Sequence, residues 1–236
     1  MMKEFLNMKK SKKNLIGIIV FFLYSIVSLT KGFPLQLFDI TKLNENIILL
    51  YSLIVSILLV IIISLIYKSK LINNYKELKK KHQTYFSKYL KYWLISLFFM
   101  GLSNLIILNF VQDGLPTNEE MIRDIFNSSP ILVFLSAVIV APIIEELVFR
   151  QSFRDMFNDD AVFIFMSALT FASFHVVGTV TSPIDLIYII PYAFPAIAFA
   201  LMLKETNNIF VPMGFHFLHN GLLMAVQFAI LIFGPY

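Results

Sequence analysis

The chain has 236 residues, of which 58% are hydrophobic and 14% charged, and its mean hydropathy is +0.77. Charged residues make up about a quarter of an ordinary soluble domain, so this composition excludes a soluble globular protein and indicates a helical membrane protein. The net charge of +4 does not indicate nucleic-acid binding, because the lysines lie between apolar runs rather than on one basic face. The absence of cysteine excludes disulfides and thiolate sites.

Seven apolar segments of spanning or near-spanning length follow one another along the chain. We therefore predict an all-α, polytopic transmembrane helix bundle. Lysines precede the first segment but no small-residue cleavage site follows it, so we interpret it as an uncleaved span rather than a signal peptide. The segments lie at residues 14–30, 46–67, 92–111, 130–149, 161–177, 185–203 and 209–233.

The placement of charges divides the chain into two parts. In residues 1–128 the apolar segments lack interior charges, and we interpret them as three scaffold spans. The loop predicted at residues 68–91 is rich in lysine and the loop at residues 112–128 is acidic, so the positive-inside rule predicts a cytoplasmic N-terminus. Anionic lipid is a further candidate ligand of the basic loop, although topology alone explains its charge. Residues 129–236 carry polar groups within the spans and form the predicted functional core.

Proline and short polar residues mark the predicted ends and bends of the later spans. Ser129-Pro130 predicts an N-cap followed by a first-turn proline, and Ser182-Pro183 with Asp185 predicts a capping box. Turns are predicted at residues 158–160 and 205–207. Interior prolines remove a backbone hydrogen bond and bend a helix, which is tolerated at membrane depth where polar groups satisfy the freed carbonyl. The prolines inside or at the ends of spans are Pro142, Pro191, Pro195 and Pro212.

Within the apolar run of residues 129–157, three ionisable side chains lie within two helical turns, namely Glu145, Glu146 and Arg150. Each charge near the centre of a spanning helix costs about 2.5–3.5 kcal/mol to insert, so such groups normally face a site inside the protein. Glu146 and Arg150 are four residues apart, which predicts an ion pair on one helix face. Glu145 points about 100° away from Glu146 on a regular helix. It lacks such a neighbour and is the predicted general base.

Two later segments carry histidines at helical spacing. Phe171 and His175 are four residues apart, as are His216 and Asn220, so each pair can face a common cavity. Counting residues from the predicted turns places His175 at the depth of Glu145 on a neighbouring helix. We expect Phe171 to pack against the ring of His175 and orient it.

These groups predict a peptidase that uses no covalent nucleophile. A carboxylate and a histidine can hold and deprotonate a water, and a histidine and an amide can donate hydrogen bonds to the resulting oxyanion. The sequence contains no HExxH zinc motif, no GxGD aspartyl motif and no GxSG serine motif. His219 lies on a different helix face from His216 and His82 lies in the basic loop, so we assign both to structural roles.

The three motifs resemble those of a known family. EELVFR (145–150) matches EExxxR, FASFH (171–175) matches FxxxH, and HFLHN (216–220) matches HxxxN, in that order. Together they resemble the CPBP family, the CAAX prenyl protease and bacteriocin-processing proteins also called Abi. The resemblance covers roughly residues 129–222, and the chain offers seven predicted spans where the family usually has eight.

The resemblance implies an intramembrane endopeptidase that cuts near the end of a membrane-bound peptide, with its active site in a cavity within the membrane. By position in the motifs, Glu145 and His175 would activate the water. His216 and Asn220 would bind the oxyanion. Glu146 and Arg150 would complete the first motif, and together with Phe171 they would support the catalytic residues.

A cofactor is not favoured, although family names often say metalloprotease. Glu145 and Glu146 diverge on the helix and cannot easily chelate one ion. If a metal is bound, the alternative is zinc held by Glu145, His175 and His216.

The expected partners are a membrane-anchored peptide or protein substrate and the lipid bilayer. The composition, rich in Ile, Lys, Asn and Phe, indicates a bacterial cell membrane. Bacteriocin or pheromone precursors, or self-immunity, are then the expected contexts. Two alternatives stay open, a non-catalytic membrane immunity or binding protein on the same fold and a small-solute or proton transporter. The oligomeric state is not predicted.

Overall fold

The computed structural model describes residues 2–36, 44–111 and 116–233, and the fold over these residues consists of helices with no strand. A single turn at Phe33–Gln36 follows α1, and two short 3₁₀ segments, Val177–Thr179 and Pro183–Tyr188, lie between α6 and α7. The predicted all-α fold is confirmed. The helices are α1 (Met2–Thr30), α2 (Glu45–Ile66), α3 (Lys68–Phe110), α4 (Thr117–Ser128), α5 (Pro130–Met156), α6 (Asp160–Val176), α7 (Ile189–Thr206) and α8 (Phe210–Phe233).

Seven of the described helices, all except α4, are long and apolar enough to cross a membrane. This agrees with the seven spans predicted from hydropathy, and the chain is a multi-pass membrane protein. The predicted turns are also present. Asp159 caps α6 by accepting the N–H of Val162 at 2.9 Å, and Asn207 ends α7 in the left-handed conformation, with φ of 49°.

The predicted loop at residues 68–91 is helical instead, as the first half of α3. This helix has 43 residues and is therefore about 65 Å long, roughly twice the thickness of the hydrocarbon layer. The reason is that residues 68–100 contain neither glycine nor proline and are rich in lysine and leucine, which are good helix formers. A high lysine content marks the end of the membrane span but does not end the helix.

The second predicted loop also contains a helix, α4, over Thr117–Ser128. Glu119 and Glu120 lie in its first turn, where acidic side chains complement the helix dipole. Phe126 on its apolar face is buried against α5 and α8, and its ring contacts that of Phe228 at a centroid distance of 4.8 Å. Residues 112–115 of the predicted loop lie outside the described residues.

The first half of α3 is fixed to the turn between α7 and α8. The side chain of Asn74 accepts the N–H of Ile209 at 3.0 Å and donates to the carbonyl of Asn207 at 3.3 Å. The side chain of Asn208 donates to the carbonyl of Asn74 at 2.8 Å. Because Asn74, Asn208 and Ile209 are buried, their polar groups would be costly to leave unpaired.

Helix α5 lies at the centre of the bundle and is not a regular α-helix. Two π-helical segments, Leu135–Val140 and Glu146–Ser152, flank a short α-helical segment. π-Helical segments are rare in proteins overall, and those that occur are often found at functional sites. Gly17 of α1 packs tightly against this helix, since a Cβ there would lie 2.5 Å from the carbonyl oxygen of Ser152.

The predicted helix ends are partly correct. The capping box at Ser182 is present, with the carboxylate of Asp185 accepting the N–H of Ser182 at 2.8 Å. Pro130 occupies the first turn of α5 as predicted, but the side chain of Ser129 does not cap the helix. Its hydroxyl donates to the side chain of Asn46 on α2 instead.

Candidate active site

A cavity of about 600 Å³ lies between the helices, and all eight helices contribute to its wall. Helix α5 contributes residues between Val133 and Glu145. Glu145, His175, His216 and Asn220 all line it. The structure therefore brings together the four side chains predicted to do the chemistry, from α5, α6 and α8. Glu119 and Arg123 of α4 also line this cavity.

Glu146 and Arg150 form the predicted ion pair behind this cavity. The carboxylate and guanidinium lie 3.4 Å apart, and neither side chain is exposed. The guanidinium carbon of Arg150 lies 4.1 Å from the ring centroid of Phe171 and 5.6 Å from that of Phe199. The arginine is thus held by one carboxylate and two aromatic faces, an arrangement in which cation–π attraction is strong because water is excluded.

His216 lies between the two glutamates. Its Nδ1 is 2.9 Å from Glu146 Oε1, and its Nε2 is 3.6 Å from Glu145 Oε2. The prediction from a regular helix gave Glu145 no ion-pair partner on its own helix. The helix becomes π-helical at Glu146, and α8 places the imidazole of His216 beside both carboxylates.

His175 is oriented by Phe171, as predicted. The Nδ1 of His175 donates to the Phe171 carbonyl at 2.9 Å, and the two rings pack at a centroid distance of 4.3 Å. A neutral imidazole that donates from Nδ1 has an unprotonated Nε2. The ring also packs on Tyr192 at 5.0 Å. His175 and Glu145 line the same cavity, but the histidine that lies within 3.6 Å of Glu145 is His216.

Asn220 satisfies a carbonyl that the irregularity of α5 leaves free. The N–H of Ala141 bonds to Ser136 in the π-helical pattern, so the next carbonyl, that of Ala137, would need an N–H from residue 142. Residue 142 is proline and has none. The Nδ2 of Asn220 donates to the Ala137 carbonyl at 2.7 Å instead. The expectation that a polar group compensates for an interior proline is confirmed here.

The cavity residues that were not predicted to belong to the site include three next to the histidines. His219 was assigned a structural role, yet it lines the cavity with an exposed fraction of 5%. Phe199 stacks on His216 at 5.1 Å, and Tyr192 packs on His175. Nothing in the sequence pattern distinguishes these two aromatic residues of α7 from the other aromatic residues of the spans.

The donor set does not form a metal centre in the described part of the chain. No group of three histidine, aspartate or glutamate side chains there is arranged to hold an ion. The hydrogen bonds from Nδ1 of His175 to a backbone carbonyl and from Nδ1 of His216 to Glu146 leave the Nε2 atoms as the candidate ligands. A zinc ion on Glu145, His175 and His216 would require these side chains to move closer together.

The fold and the cavity define a multi-pass membrane protein with a polar site inside its helix bundle. Residues 127–222 match the model of a family described as "Type II CAAX prenyl endopeptidase Rce1-like". All three motifs lie within the matched segment, and the match supports over these residues the resemblance to the CPBP family of CAAX proteases. Comparison with the curated proteins and with the solved structures gave no match.

Proposed function

We propose that this protein is an intramembrane endopeptidase that hydrolyses a peptide bond in a membrane-anchored peptide or protein. The observation that carries the proposal is the single cavity lined by Glu145, His175, His216 and Asn220, in a segment similar to CAAX endopeptidases. Charged side chains within membrane spans are costly to insert, so they usually mark a functional site.

Glu145 is the proposed general base. Its side chain is 14% exposed, and no side chain in the described part of the chain makes a hydrogen bond to it. The 3.6 Å separation from His216 is longer than a hydrogen bond, so the carboxylate is free to accept a proton from water. The unprotonated Nε2 of His175 offers a second acceptor in the same cavity.

Asn220 and His216 are the proposed donors to the oxyanion. The amide of Asn220 has two N–H bonds, and the Ala137 carbonyl uses one of them. His216 donates to Glu146 through Nδ1, so its Nε2 can donate to an oxyanion only when the ring is doubly protonated. Glu146 is therefore a positioning residue that fixes the orientation of His216.

The volume of the cavity favours a short peptide segment as the reacting part of the substrate. A cavity of about 600 Å³ is in the range of small-ligand sites and far below the size of a folded domain. We propose a role in the maturation of a secreted peptide, such as a bacteriocin or pheromone precursor, or in self-immunity, at a bacterial cell membrane with the N-terminus in the cytoplasm.

The proposed mechanism uses no metal ion. Cleavage by the purified protein should be unchanged by chelators at millimolar concentration. Loss of activity that Zn²⁺ restores would contradict this part of the proposal and would assign Glu145 and His216 to a metal site.

The proposal is tested by comparing the membrane peptides of cells that contain the wild-type protein, the Glu145→Gln variant or neither. Mass spectrometry should find new peptide ends only with the wild-type protein, while both proteins accumulate equally in the membrane. If protection against a bacteriocin persists in Glu145→Gln cells and no new ends form with either protein, the non-catalytic alternative is correct.

A further inference from the structure

His219 is the buried polar group of the cavity that the proposed chemistry does not use. Its exposed fraction is 5%, and its Nδ1 has no hydrogen-bond partner in the described part of the chain. A buried donor or acceptor without a partner is destabilising, so a chain that needed only packing at this position would be more stable with an apolar residue. The imidazole ring lines the same cavity as Glu145 and Asn220.

The position of His219 along α8 points to the main chain of a bound peptide. Cavity-lining residues of α8 lie along one helix face, and His219 is three residues beyond His216, or about 4.5 Å along the helix axis. Carbonyls of an extended peptide repeat every ~3.3–3.4 Å. A peptide lying along α8 with one carbonyl at His216 therefore brings its next peptide group near His219.

Phe199 holds both rings of this face. It stacks on His216 at 5.1 Å with planes 28° apart, and it contacts His219 edge-on at 6.3 Å and 89°. The two imidazoles are thereby fixed in different orientations by one aromatic side chain. The Nδ1 of His216 is paired with Glu146, whereas the Nδ1 of His219 keeps its hydrogen-bonding capacity for a ligand.

We infer that His219 is a substrate-binding residue that hydrogen-bonds the main chain of the peptide beside the scissile bond. The inference rests on the proposed function, since it assigns a subsite of the same cavity. It concerns binding of the ground state rather than the chemical step. His219 should therefore affect KM and Kd more than kcat.

Two substitutions of nearly equal shape separate hydrogen bonding from packing. His219→Met removes the strong donor and acceptor, and His219→Gln keeps an amide on a side chain of similar length. In detergent and without peptide, His219→Met should raise Tm by about 2 °C or more, because an unpaired polar group is replaced by an apolar one. A fall in Tm below the wild-type value would assign His219 to packing and overturn the inference.

Binding is measured in the Glu145→Gln background, where no peptide is consumed. The probe is a fluorescent, farnesylated peptide ending in a CAAX sequence, chosen for the family match. His219→Met should weaken Kd about tenfold, the loss of one hydrogen bond, and His219→Gln should recover at least part of it. Equal Kd values for the wild-type residue and Met would overturn the inference.

The same probe distinguishes this inference from the proposed function. If the wild-type protein binds the peptide with a Kd that depends on His219 but never cleaves it, the protease proposal fails and the binding subsite stands. If the peptide is cleaved and His219→Met lowers kcat with KM unchanged, the subsite is wrong and the protease proposal stands. Absence of any binding by the Glu145→Gln protein overturns the subsite.

Discussion

Replacement of Arg150 by methionine tests how the buried charges of α5 are held. Arg150 and Glu146 have no exposed side-chain surface and lie 3.4 Å apart. Removing one member of a fully buried pair leaves the other charge uncompensated and costs about 3–5 kcal/mol. For a chain of this size, 1 kcal/mol corresponds to about 2–4 °C in Tm. We therefore expect Arg150→Met to lower Tm by about 6–20 °C.

Arg154 provides a matched control on the same helix, one turn further on. It pairs with Asp160 at 2.7 Å and lies over the ring of Phe163 at 5.3 Å, but its side chain is 27% exposed and that of Asp160 is 48% exposed. An ion pair open to water contributes at most about 1 kcal/mol. Arg154→Met should therefore shift Tm by less than about 4 °C.

The assay is thermal unfolding of the purified protein in detergent, followed by intrinsic fluorescence or light scattering. A double variant with methionine at Glu146 and Arg150 should regain part of the lost stability, because no buried charge is then left unpaired. It should not regain cleavage, because His216 has lost the carboxylate that orients it. If Arg150→Met is no more destabilising than Arg154→Met, the pair does not stabilise the bundle and the reasoning is refuted.

Three further predictions concern packing and topology. Gly17→Ala should cost about 1–3 kcal/mol, because its Cβ would overlap α5. Gly101→Ala should be neutral or stabilising by up to about 1 kcal/mol, since nothing lies within 4 Å of that Cβ; equal Tm shifts in these two variants would contradict the close contact. Asn74→Leu should cost about 2 kcal/mol or more in chemical unfolding, because it leaves the buried N–H of Ile209 unpaired, and an unchanged midpoint would show that the turn does not depend on this side chain. The chain has no cysteine, so a membrane-impermeant maleimide should label Asp124→Cys in intact cells and Lys80→Cys only after permeabilisation, and the reverse pattern would invert the proposed orientation.

Much of the fold is predictable because crossing a membrane imposes strong constraints on sequence. Each span needs an apolar run of limited length, and both hairpin turns follow from short polar residues. The helical nature of residues 68–91 was missed because hydropathy detects the membrane boundary, whereas helix propensity decides whether the helix continues beyond it. Helix α4 was missed for the same reason, since its charges indicated a loop.

The candidate site was predictable where its contacts are local. The Glu146–Arg150 pair and the packing of Phe171 on His175 both follow from a spacing of four residues on one helix. The approach of Glu145 to His216 joins α5 to α8. It follows a π-helical turn in α5, and no simple sequence pattern predicts where such turns occur.

Buried partners on other helices were the least predictable part of the site. Phe199 lies against Arg150, His216 and His219, but an aromatic residue in an apolar span gives no sign of what it contacts. His219 was not predicted to line the cavity, because its angle from His216 around the helix does not show how much of the helix surface faces the cavity. The Asn220–Ala137 bond, by contrast, follows the rule that a freed carbonyl needs a donor, once the proline at position 142 is considered.

The most direct test of the central claim is the cleavage rate of purified protein in proteoliposomes, with Glu145→Gln compared with Glu119→Gln. Both glutamates line the cavity, but Glu119 is paired with Arg123 of its own helix at 3.1 Å. If Glu145 is the general base, its substitution should lower the rate by about 10²–10⁴-fold, while Glu119→Gln should keep most of the activity. Cleavage by Glu145→Gln at the wild-type rate would contradict the account.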